Sequence, residues 1–159
     1  MAIAPNDTFT SGQILTAAEC NAFPFGVVAL ASSTTDFTLG TTVAISTGMT
    51  VTFTAIANRY YKVTYVESQA QLPQVAAGTT NQAIKLTNAT GTVLQVTGRV
   101  NPGTNSATAN MTATYIGTMT AGSVTIVGTG SVSATTGTPV FGRSSIYPAF
   151  LLVEDIGPA

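Results

Sequence analysis

The chain has no histidine, a single cysteine and few charges, with five Lys and Arg against six Asp and Glu making up 7% of 159 residues. An ordinary soluble domain is about 25% charged. Without histidine there is no Ser-His or Cys-His pair to activate a nucleophile. Cys20 has no second cysteine for a disulfide and no His or Cys companion for a metal centre. Five scattered cations are too few to neutralise a nucleic-acid backbone, so no nucleic-acid partner is expected. The same scarcity argues against polybasic membrane attachment, and no apolar run reaches the roughly 18 residues that a membrane span needs. The N-terminus lacks a basic start and is interrupted by Pro5, Asn6 and Asp7, so it does not read as a secretory signal. Synthesis in a cytoplasm is the expectation, with no membrane partner.

The six carboxylates are Asp7, Glu19, Asp36, Glu67, Glu154 and Asp155. A glycosidase needs two of them across one substrate. Only Glu154 and Asp155 adjoin, and strand alternation sends neighbours to opposite faces, so that pair reads as a solvated strand end. Asp36 and Glu67 would offer oxygen ligands to a calcium ion only if the fold brought them together. No catalytic residue, cofactor or metal is expected, and the chain is not read as an enzyme. Cys20 reads as a small apolar residue packed under a turn. Tyr60, Tyr61, Tyr65, Tyr115 and Tyr147 read as core or interface aromatics, the alternative being a platform for stacking sugars.

What the chain does have is β character. Hydrophobic residues make up 45%, enough for a packed core and too many for a disordered chain. Threonine is the commonest residue, and with valine it favours strands. Near-zero net charge, −1 here, favours association with neighbours. Met49 to Ala55 alternates Met, Val, Phe and Ala against Thr, the period of a half-buried strand. Further strands are predicted at 26–31, a short apolar run with little alternation, and at 42–46, 60–69, 83–88, 93–100, 107–116 and 123–127. Gly48 is read as a turn between two strands, and 72–82 as a long loop. The Gly-, Ser- and Thr-rich stretch 128–142 is read as a weak edge strand plus loop. Tyr147 to Val153 is the most apolar strand and is expected to be central. About nine short strands without internal repeat predict an all-β fold, an antiparallel β-sandwich or jelly roll.

The stretch Phe9 to Phe25, FTSGQILTAAECNAFPF, breaks this pattern. Thr16 with Glu19 three residues on forms a capping box for a short helix, a reading preferred to Glu19 as an acid catalyst. Asn21 and Pro24 end the helix. One turn is not stable alone, so it is expected to dock on the β domain or on another subunit. Residues 1–25 are thus read as an attachment arm with a short helix, and 26–159 as the β-sandwich.

Phe9, Gly12, Leu15, Thr16, Ala17, Ala18 and Asn21 form the pattern Phe-x-x-Gly-x-x-Leu-Thr-Ala-Ala-x-x-Asn. It resembles the N-terminal segment of tailed-bacteriophage virion structural proteins, both minor capsid or decoration proteins and minor tail proteins. The run from Tyr147 to Pro158 resembles the closing strand of the same group, and Arg59 to Tyr65 is the best-matching central segment. The resemblance implies a tumour-necrosis-factor-like jelly roll, often a homotrimer, located in the virion. Its partners would be the major capsid protein or tail subunits. Phe9, Ile14, Leu15, Phe23 and Phe25 are the expected anchoring residues. The favoured expectation is a decoration protein that bridges capsid subunits. The alternative is a tail-associated receptor-binding protein that takes host-surface glycan on loops such as 72–82 or 128–142.

Overall fold

Alternating apolar and hydroxyl-bearing residues build ten strands in the computed structural model, which describes residues 14, 17, 20, 23–72, 78–101, 107–133 and 139–159. They are β1 (Gly26–Ser33), β2 (Phe37–Thr38), β3 (Ala44–Ala55), β4 (Arg59–Leu72), β5 (Gly78–Leu86), β6 (Val93–Asn101), β7 (Ala107–Thr118), β8 (Gly122–Val132), β9 (Val140–Gly142) and β10 (Ala149–Pro158).

Two antiparallel sheets face each other. In the first, β10 lies between β1 and β4, and β7 pairs along the other edge of β4. The short pair β9 and β2 continues the β10 side of β4, through Gln69, Ala70 and Gln71. The second sheet has the order β3-β8-β5-β6. Of the links between long strands, only β5 to β6 stays within one sheet after β3. The rest cross the sandwich, which is jelly-roll connectivity. Val51 and Phe53 of β3, Tyr61, Val63 and Tyr65 of β4, Ile84 of β5, Ile126 of β8 and Leu151 and Val153 of β10 fill the gap between sheets. A smaller cluster of Leu39, Ala70, Met111, Val132 and Phe141 closes one end.

The expected architecture is present, with four local corrections. First, Gly48 does not separate two strands. β3 runs through it with a bulge, shifting register between Ile45 and Thr50. Gly48 sits at φ +75, and Ser46 and Met49 are both fully buried. Second, within the long loop expected at 72–82, residues 78–82 belong to β5, which starts at Gly78, and 73–77 lie outside the described residues. Third, 128–132 is not a weak edge but the buried end of β8, between β3 and β5. Its glycines are small because of what faces them. A Cβ on Gly128 would come within 2.8 Å of the Tyr65 ring, and one on Gly130 within 2.6 Å of Leu39 and Phe141. Fourth, the count is ten, because β2 and β9 are too short to show a period.

The sandwich has two distinct ends. At one lie the start of β1, the end of β10 and the turns at 56–58, 87–92 and 119–121. The strand ends joined by 73–77, 102–106 and 134–138 all lie at the other.

Candidate attachment site

The arm meets the body at Arg59, the first residue of β4. Asn58 before it turns the chain at φ 58, and its carbonyl accepts a bond from the Ala159 amide. Asp155 stands three places from the end of β10 on the inward parity of Leu151 and Val153, and only 1% of it is exposed. A charge there needs a partner. Arg59 supplies it in a two-pronged contact, with Nε 2.5 Å from Oδ2 and Nη2 2.7 Å from Oδ1. The Gly157 amide donates to the same Oδ1 at 3.0 Å, from a glycine at φ +117. Burial alone would raise the Asp155 pKa. The Arg59 hydrogen bonds, the Gly157 and Phe25 amides and the guanidinium charge outweigh burial and hold it below the usual value.

Arg59 also grips the arm. Its Nη2 donates to the Phe23 carbonyl at 2.6 Å, and its guanidinium carbon lies 4.0 Å from the centre of the Phe25 ring. A flat cation serves two perpendicular tasks at once, in-plane hydrogen bonds and stacking on its face. The Phe23 amide closes a turn back to the Cys20 carbonyl at 3.3 Å, and Ala17 and Cys20 have helical backbone.

A second buried cation works at the opposite end. Arg143 follows β9 and uses all five of its N–H groups. Nε and Nη2 take the Glu67 carboxylate at 3.0 and 2.5 Å, Nη2 also bonds Ser46 Oγ, and Nη1 reaches the carbonyls of Thr35 and Thr47 at 3.1 and 2.7 Å. Its backbone amide donates to Asp36 Oδ1 at 2.6 Å. Tyr65 donates its hydroxyl to Glu67. Burial first, then the adjacent carboxylate, pushes the Tyr65 pKa well above 10.0.

Of the expected anchoring residues, Phe23 and Phe25 lie at the arm root, and Ile14 is 86% exposed. Phe9 and Leu15, and the capping pair Thr16 and Glu19, lie outside the described residues. Two expectations are corrected. Asp155 is not at a solvated strand end but buried against Arg59, while Glu154 pairs with Lys62 at 3.0 Å on the outside. Cys20 is exposed rather than packed, since the described contacts with the body begin at Phe23. Asp36 and Glu67 both meet Arg143, Asp36 at its backbone amide and Glu67 at its guanidinium. Among the described residues, no group of three His, Cys, Asp or Glu is placed to hold a metal. Tyr61 and Tyr65 are core residues.

Arg59 and Arg143 escaped the sequence reading because one falls beside a turn and the other in a Gly-rich stretch. Their partners carry the usable signal. Glu67 and Asp155 share the inward parity of strongly apolar strands, a position where a charge is rare unless paired. The chain matches no protein-family model, and no curated protein matches it significantly.

Proposed function

We propose that the chain is a structural subunit of a tailed-bacteriophage particle, a minor capsid or decoration protein held by its N-terminal arm and working as a homotrimer. It is made in the host cytoplasm and resides in the virion. Its partners are its own copies and the major capsid protein, and it needs no cofactor. The observation that supports this reading best is the root of the arm. The segment bearing the phage-like motif enters the body where Arg59 joins the Phe23 carbonyl and the Phe25 ring to Asp155. Arg59 begins β4 and Asp155 lies in β10, two strands at the centre of one sheet. A pull on the arm is therefore shared between two paired strands rather than peeling one edge. Such a root suits a subunit that bridges its neighbours against internal pressure. Three arms on one trimer would add their attachments through high local concentration.

A tail-associated receptor-binding protein is the second reading. It draws support from the polarity of the body, since the arm leaves one end and the connections 73–77, 102–106 and 134–138 join strands at the other. Labelling intact particles with a gold-tagged antibody against the chain separates the two. Gold scattered over the head supports decoration, and gold at the tail tip supports receptor binding. Unlabelled particles overturn both.

A further inference from the structure

We infer that the sheet edge where β5 and β6 face β7, at the end of the sandwich away from the arm, binds a small carboxylate that also carries hydroxyl groups, the chemistry of an acidic sugar. The inference is independent of where in a particle the subunit sits. It starts from the side chains that β5 and β6 turn inward. The inward side of β5 reads Thr80, Gln82, Ile84 and Leu86, and only the last two are apolar and join the core. β6 sets Thr97 opposite Gln82 and Arg99 opposite Thr80, and directly opposed residues share a face. Four polar residues thus stand together between the sheets, where a polar group costs free energy unless it is hydrogen-bonded.

The fold leaves these groups unsatisfied. Gln82 is wholly buried, and its Nε2 donates to the Tyr65 carbonyl at 3.1 Å, but its Oε1 has no partner. Thr80 is 1% exposed, and its Oγ1 has none either. Buried polar atoms nearly always have partners, so two orphans on one face call for a cause. Arg99 is half-buried, and among the described residues no hydrogen bond or ion pair holds it. The described side-chain carboxylates are taken elsewhere, Asp36 and Glu67 by Arg143, Glu154 by Lys62 and Asp155 by Arg59. Met111 of β7 clusters with Val132, the β8 neighbour of Thr80, which sets β7 across from these groups. The next inward residue of β7 is Ala109, whose short side chain fills little of the space between the sheets.

The donors and acceptors define the ligand. A guanidinium takes an oxyanion through paired N–H groups, and its single charge matches a carboxylate rather than a doubly charged phosphate. Gln82 Oε1 can only accept, so the ligand must donate to it, as a hydroxyl does, while the threonine hydroxyls serve either way. Exposure rises from Gln82 and Thr80 to Thr97 and Arg99 at the sheet edge. The charge of the ligand therefore meets Arg99 at the rim, and its hydroxyls reach inward to Thr80 and Gln82, with ordered water bridging where the span is longer.

The test is a titration of the purified full chain with glucuronate, followed by amide NMR shifts. Shifts are expected in β5, β6 and β7. Glucuronate should bind more tightly than glucose, which lacks the carboxylate, or acetate, which lacks the hydroxyls. Arg99→Gln is expected to weaken glucuronate roughly tenfold or more, the loss of a charge-assisted hydrogen bond. Arg99→Lys keeps the charge without the fork and should recover part of the binding. Thr80→Val keeps the shape, removes the hydroxyl and should also weaken glucuronate. Lys62→Gln, on the outer face of the first sheet, should leave binding unchanged. Thermal unfolding verifies that each variant is folded. No shifts with glucuronate, binding no tighter than that of acetate, or undiminished binding by folded Arg99→Gln overturns the inference. None of these results bears on attachment through the arm, which is read on particles.

Discussion

Arg143 Nε lies 3.0 Å from Glu67 Oε2 in the interior, joining residues 76 positions apart, and neither side chain is exposed. The contact holds the β9 segment, the turn before β2 and the bulge of β3 onto β4. Removing one partner leaves the other charge buried, which costs about 3–5 kcal/mol. Arg143→Met and Glu67→Gln are each expected to show losses of that order in urea unfolding. The double variant Arg143→Met with Glu67→Leu should recover only part of it. The carbonyls of Thr35 and Thr47 and the hydroxyls of Ser46 and Tyr65 would still lack their partner.

The Arg59 and Asp155 pair makes stability depend on acid. The folded pKa of Asp155 lies below its unfolded value, so the unfolded chain takes up the proton first. The pair's contribution is present above the unfolded pKa, about 3.9, and is lost as pH falls through the folded value. Asp155→Asn is expected to lower stability at pH 7 and to flatten the acid limb of a stability-against-pH curve measured by chemical unfolding. An unchanged acid limb would show that other carboxylates govern it.

Tyr65 has the opposite sign. Its folded pKa is raised, so the neutral phenol is the form the fold retains. That stability is complete below the unfolded value near 10 and is lost as pH rises through the folded one. Ultraviolet titration of phenolate should show a signal that appears only with unfolding. Its absence in Tyr65→Phe assigns it.

Much of this was legible before any coordinates. Strand alternation in Met49–Ala55 and Tyr61–Tyr65 marked the inward faces correctly, and the apolar run from Tyr147 marked the central strand. Glycine misled the reading at 128–132, where small residues signal close approach of Tyr65 and Phe141 rather than a loop. A period of two also cannot show a bulge, so β3 was split at Gly48. The arm root was legible only in part. Phe23 and Phe25 were in view, but the arginine between them and Asp155 is 36 residues from one and 96 from the other. No local pattern spans such distances.

Tightly packed glycines supply a test. Gly130→Ala would set a methyl 2.6 Å from carbons of Leu39 and Phe141, and overpacking of this kind costs about 1–3 kcal/mol. Gly91→Ala meets the Leu86 carbonyl oxygen at 1.7 Å, which is backbone and cannot swing aside. The Gly91 variant is expected to lose more stability than the Gly130 variant. Thermal unfolding of the two under one condition decides it.

Cutting the arm at two places separates attachment from stability. A chain lacking residues 1–22 keeps the Phe23 carbonyl and the Phe25 ring on Arg59 and is expected to stay folded. A chain lacking 1–25 strips the Phe23 carbonyl and the Phe25 ring from Arg59 and the Phe25 amide from Asp155. Two charge-assisted hydrogen bonds and one stacked ring are lost, about 3 kcal/mol or more together. The shorter chain should therefore melt earlier. If the arm is the anchor, neither truncation should co-sediment with particles stripped of the native protein, although the longer keeps the Arg59 contacts. Undiminished binding by the chain lacking 1–22 would move the anchor from the arm to the body.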